Sequence, residues 1–76
     1  MDFAIIKEGM VEELIEVKYS EANISRGLRY YVRRLKPAKA FQIVGTLENS
    51  YDEGDIRVLS PLEYFQNPPW ASQHLV

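Results

Sequence analysis

The hydrophobic period of this chain first changes at the polar stretch Ser20-Glu21-Ala22-Asn23. Before it, apolar and polar residues follow a strand rhythm; after it, they follow a helical one. Residues 3–7, Phe-Ala-Ile-Ile-Lys, and residues 11–19 read as two strands, with Glu8-Gly9-Met10 as the turn and Gly9 free to take positive φ. From Ile24 to Lys36, Ile24, Leu28, Tyr31, Val32 and Leu35 gather on one side at about 100° per residue. Asn23 is the expected N-cap and Pro37 the stop. Gly27, costly inside a helix, suggests close packing there.

A buried strand is expected within 38–47, around Ala40, Phe41, Ile43 and Val44, and a last strand over 56–59. The polar residues 48–55 between them read as a loop, since Asp52, Glu53 and Asp55 lack calcium-loop spacing. Ser60-Pro61 opens a short helix near 61–66. The expected fold is α+β in the order ββαββα: a small mixed sheet with an N-terminal hairpin, one main helix over 24–36 and the short C-terminal helix. A tail, 67–76, follows the domain of residues 1–66; its Trp70 is a docking candidate and its His74 a bystander.

With 76 residues there is room for one small domain whose core is marginal without a partner. No cysteine and a single histidine exclude disulfides and make a zinc site remote. No apolar run reaches a membrane span and no signal peptide opens the chain, so the cytoplasm is the expected compartment. Net charge is −2, but residues 24–39 carry Arg26, Arg29, Arg33, Arg34, Lys36 and Lys39 with no acid among them. Arg26, Arg29, Arg33 and Lys36 gather on one side of the helix, a basic face on a mildly acidic protein. Such a face is equally compatible with a solvated surface that suits the helix C-terminus.

Chemistry concentrates in Asp2 and Ile15-Glu16-Val17-Lys18. Residues two apart on a strand share a face, so Glu16 and Lys18 point together, a carboxylate and an ammonium able to serve a metal and a water. The plainer alternative is an ordinary polar strand end. Hairpin register decides between them. Pairing Phe3 with Val17, Ile5 with Ile15 and Lys7 with Glu13 matches apolar with apolar and sets Asp2 across from Lys18, diagonal to Glu16. A two-residue shift puts Asp2 opposite Glu16 but leaves Ile5 against Glu13. The first pairing is the expected one.

Asp2-Phe3 at a strand start, a glycine turn, Ile15-Glu16-Val17-Lys18 and a helix with Arg-Gly-Leu-Arg-Tyr together resemble the PD-(D/E)xK restriction-endonuclease-like fold. The chain looks most like the nuclease-like C-terminal domain, of unassigned function, of prokaryotic AAA-type ATPases, over about residues 2–66. The closing strand and Ser-Pro-Leu-Glu-Tyr-Phe fit as well. The resemblance implies that Asp2, Glu16 and the Val17 carbonyl hold Mg²⁺ (or Mn²⁺) and that Lys18 orients the attacking water in phosphodiester hydrolysis. Arg26, Arg29, Arg33 and Lys36 would contact nucleic-acid phosphates. Family members carry a helix and a further strand before the metal-binding acid, whereas Asp2 here follows Met1. A homodimer or a separate chain is therefore expected to complete the sheet. The alternative is a non-catalytic remnant of the fold, an interaction module working with an ATPase.

Overall fold

The computed structural model describes residues 2–20 and 23–66. The tail, with Trp70 and His74, lies outside the described residues. Five strands and two helices follow in the order β1 (Phe3–Lys7), β2 (Met10–Lys18), α1 (Arg26–Leu35), β3 (Lys39–Val44), β4 (Tyr51–Glu53), β5 (Ile56–Leu59) and α2 (Pro61–Gln66). They build one mixed sheet, ordered β1-β2-β3-β5-β4. β2, β3 and β5 run parallel, and β1 and β4 flank them antiparallel. The expected α+β fold is the one observed, with one strand more.

That added strand is β4. Its Tyr-Asp-Glu shows no apolar alternation, and all three residues are exposed. It exists because Gly54, at φ 61°, lets the chain double back onto β5. Short and charged, it blunts the edge it forms.

Alternation along the strands fills two apolar layers. Leu14, Ala40 and Ile56 point to one face, where Leu28 of α1 covers them with Val11, Ile24 and Val32 packed around. Ile15, Ile43 and Leu59 point to the other, under Tyr64 of α2, with Ile5 and Phe41 alongside. Within its own span α1 packs on this layer through Leu28 and Val32, while Tyr31 and Leu35, assigned by projection to the apolar side, stay 39% and 42% exposed.

Local signals set the helix ends. The N-cap is Ser25, whose Oγ accepts the Leu28 N–H at 3.2 Å. Asn23, the cap expected from sequence, instead offers its carbonyl to Gln42. Lys36 closes the helix in the left-handed region (φ 47°), donating its N–H to Val32, and Pro37 follows. Ser60 and Glu63 form a capping box on α2: the Ser60 Oγ accepts the Glu63 N–H and Glu63 accepts the Ser60 N–H.

The hairpin register differs from the expected one. The two-residue turn at Glu8 and Gly9, both at positive φ, sets Lys7 opposite Met10. A bulge between Ile5 and Ile6 then shifts the pairing, giving Ile5↔Glu13 and Phe3↔Ile15. Without that extra residue, Phe3 and Ile5 would fall on the wrong face. The tight turn thus selects the pairing that sequence reasoning set aside for putting Ile5 against a carboxylate. The fold tolerates it because Glu13 is 2% exposed and sits beneath the Tyr64 hydroxyl, which donates to its Oε1 at 3.4 Å. Burial pushes the Glu13 carboxyl up, favouring its neutral form, against the pull of Lys39 and the Tyr64 hydrogen bond.

Candidate metal and nucleic-acid site

Asp2 lies across from Glu16, and two hydrogen bonds fix it there. Its N–H donates to the Ile15 carbonyl at 3.1 Å, and its Oδ2 accepts the Val17 N–H at 2.8 Å. The expected diagonal relation is therefore replaced by a direct one. The two acids stand opposite each other along the outer strand pair, with the Asp2 carboxylate engaged by the Val17 N–H. Since the Val17 N–H points toward β1, its carbonyl points the same way. The Asp2 carboxylate and the Val17 carbonyl thus lie along the β1–β2 seam, and Glu16 is the neighbour of Val17 on β2.

Lys18 joins them from β2. Its Nζ stands 3.5 Å from Glu16 Oε2, with the Glu16 side chain almost fully covered and that of Lys18 about one-third exposed. The pair sits at the carboxyl end of the parallel strands, where open sheets leave room for ligands. That end is held firmly. The Gly45 N–H donates to the Lys18 carbonyl at 3.0 Å and the Thr46 N–H to the Tyr19 carbonyl at 3.1 Å. A Cβ at Gly45 would come within 3.0 Å of the Tyr19 oxygen, so a larger residue would force the backbones apart.

Gln42 is the residue that sequence reasoning missed. It neighbours Glu16 in the β2–β3 register and is fully buried. Its Oε1 accepts the Ser25 N–H at 2.9 Å and its Nε2 donates to the Asn23 carbonyl at 2.9 Å. One side chain thus ties the start of α1 to the row that carries Glu16. The signal was a lone amide inside the apolar run Ala-Phe-Gln-Ile-Val.

The basic residues are spread rather than gathered at the carboxylates. Arg26, Arg29, Arg33 and Lys36 are all exposed on α1. Arg26 opens the helix beside the Gln42 anchor, whereas Lys36 lies about 15 Å further along the axis. Arg29 reaches the far side, where it pairs with Glu53 at 2.6 Å.

For a divalent ion, the candidate donors are hard oxygens: the Asp2 and Glu16 carboxylates and the Val17 carbonyl. Mg²⁺ takes one or two protein carboxylates and fills the rest of its shell with water and phosphate, so this set fits. Among the described residues, no group of three or more Asp, Glu or His gathers at one point. Any ion would thus depend on substrate oxygens to complete its shell. No protein-family model, curated protein or solved structure matches this chain. The class the fold defines is a small α+β domain with a mixed five-stranded sheet.

Proposed function

We propose that this chain is a nuclease-like domain of the PD-(D/E)xK type that engages nucleic acid through a divalent ion at Asp2 and Glu16. The observation carrying this reading is the hydrogen-bonded placement of Asp2 opposite Glu16, with the Lys18 ammonium 3.5 Å from the second carboxylate. Asp2, Glu16 and the Val17 carbonyl would hold Mg²⁺ (or Mn²⁺), which, when bound, supplies charge neutralisation at the scissile phosphate. Lys18 orients the attacking water beside Glu16. As the water oxygen bonds to phosphorus the water gives up a proton to solvent, the P–O ester bond breaks, and the leaving oxygen takes a proton from solvent. Arg26 and Arg33 hold flanking phosphates. The test is cleavage of single- and double-stranded nucleic acid in Mg²⁺ or Mn²⁺, abolished in Glu16→Ala and in Lys18→Ala with folding retained. No cleavage by the wild-type chain at high protein concentration in either metal would remove the catalytic reading.

A second reading is favoured by β1. Among the described residues no strand pairs with its outer side, and it carries Phe3 and Ile6 at 60% and 58% exposure. Lys7 is the single charge within β1, against Asp52 and Glu53 on the three-residue strand at the other edge. On this reading the domain is an interaction module, pairing β1 with a second copy or with a strand of another chain such as an ATPase. Light scattering over a dilution series tests it; a strict monomer that captures no partner counts against it.

A further inference from the structure

Two tyrosines that the proposed chemistry leaves unused stand on α1 among its arginines. Tyr30 and Tyr31 stand edge to face, with ring centroids 5.1 Å apart at 85°. They are 51% and 39% exposed and belong to neither core layer. Helical spacing surrounds Tyr30 with Arg26 four residues back, Arg33 three ahead and Arg34 four ahead, all exposed. No acid interrupts residues 24–39. Packing explains α1 without this pair, since Leu28 and Val32 make its contact with the sheet. Two large rings in water, ringed by guanidinium groups, suit a ligand with both flat faces and negative charge.

Their directions differ: Tyr30, about 200° round the axis from the sheet-facing Leu28, points away from the sheet, and Tyr31 turns toward one flank of it. Arg29 and Val32 border Glu53 and Ile56, so that flank of α1 looks toward β4 and β5. At about 100° per residue, Tyr30 and Tyr31 lie roughly 100° and 200° round the axis from Arg29, so Tyr31 falls on the opposite flank of the helix. Tyr31 therefore looks toward β1 and β2, over the sheet face that Glu16 and Lys18 share with α1. A chain lying on the rings could continue to Asp2 at the N-terminal end of the helix.

We infer that Tyr30 and Tyr31, with Arg26, Arg33 and Arg34, form a stacking platform for single-stranded nucleic acid. The inference deepens the nucleic-acid reading above and rests on it for the ligand class. Unpaired bases stack on exposed aromatic rings while arginines take the phosphates. A duplex hides its base faces and can use the arginines alone.

Fluorescence anisotropy in EDTA tests this without any cleavage. The probes are a short labelled single strand, as DNA and as RNA, its duplex, and an abasic phosphodiester backbone of the same length. The single strand is expected to bind roughly tenfold tighter than the duplex or the abasic chain. Tyr30→Ala and Tyr31→Ala should each erode that margin, Tyr30→Phe should keep it, and Arg33→Ala should flatten the salt dependence by about one phosphate contact. Equal affinity for all three probes, or full binding by the Tyr30→Ala, Tyr31→Ala double variant, overturns the platform and leaves a plain polyanion surface open to acidic proteins. Single-strand preference in EDTA without cleavage in Mg²⁺ refutes only the catalytic reading. Cleavage with equal binding of strand and duplex refutes only the platform.

Discussion

Replacing Gln42 by Met tests whether one buried amide sets the position of α1. The substitution keeps the length and most of the volume of the side chain but removes both hydrogen bonds, to the Ser25 N–H and the Asn23 carbonyl. Each polar group left unsatisfied by such a change costs about 1–3 kcal/mol when buried. These partners are only partly covered and water can reach them, so the lower end applies, about 2–3 kcal/mol for the two. A domain of 76 residues has a total stability of about 4–11 kcal/mol. The loss is then a large share of the whole. Urea denaturation should show the midpoint falling with the slope unchanged. Amide exchange adds the local signature: Ser25 and Leu28, whose N–H groups are held by Gln42 and by the Ser25 cap, should lose protection beyond the global loss. A change below about 0.5 kcal/mol, within the range of an ordinary surface substitution, with both amides still protected, would refute the idea that Gln42 anchors the helix.

Glu13 gives a pH prediction. Burial raises its folded carboxyl above the unfolded value of 4.5, so its contribution is fully present below pH 4.5 and is lost as pH rises through the folded value. Glu13→Gln should remove that fall in denaturation curves collected across the acid range; an unchanged pH profile would contradict it. Tyr64, raised to about 12 by its burial and by Glu13, should resist ionisation in an alkaline absorbance titration beyond the ordinary range. An early transition at Tyr64, isolated by comparison with Tyr64→Phe, would speak against the buried pair. Gly45→Ala should destabilise and loosen the end of β2, because the new methyl meets backbone rather than a movable side chain; a thermal midpoint equal to wild type would show that the two segments part freely. Ser25→Ala should cost about 1 kcal/mol as a lost N-cap, read from the same urea curves, and Asn23→Ala should cost less.

Much of the fold was legible because local rules dictate it. Alternation over 3–7 and 11–19, the helical period from Ile24, the stop at Pro37 and the Ser60-Pro61 start are each decided by a few neighbouring residues. β4 escaped because a three-residue charged edge strand has no pattern of its own. The candidate site was half legible: Glu16 and Lys18 share a face by strand geometry alone, whereas Gln42 emerges only when β3 lies beside β2.

Alternation placed Glu16 with Lys18, and composition set one small domain rich in apolar residues; both are properties of the chain before it folds. Where Asp2 stands was decided only by the assembled sheet. A two-residue turn fixed Lys7 against Met10, a bulge corrected the faces, and burial under Tyr64 made Glu13 tolerable opposite Ile5. A carboxylate judged unsuitable from its own strand became acceptable once a helix fifty residues on covered it, because the cost of burying a charge depends on partners that sequence neighbours do not supply.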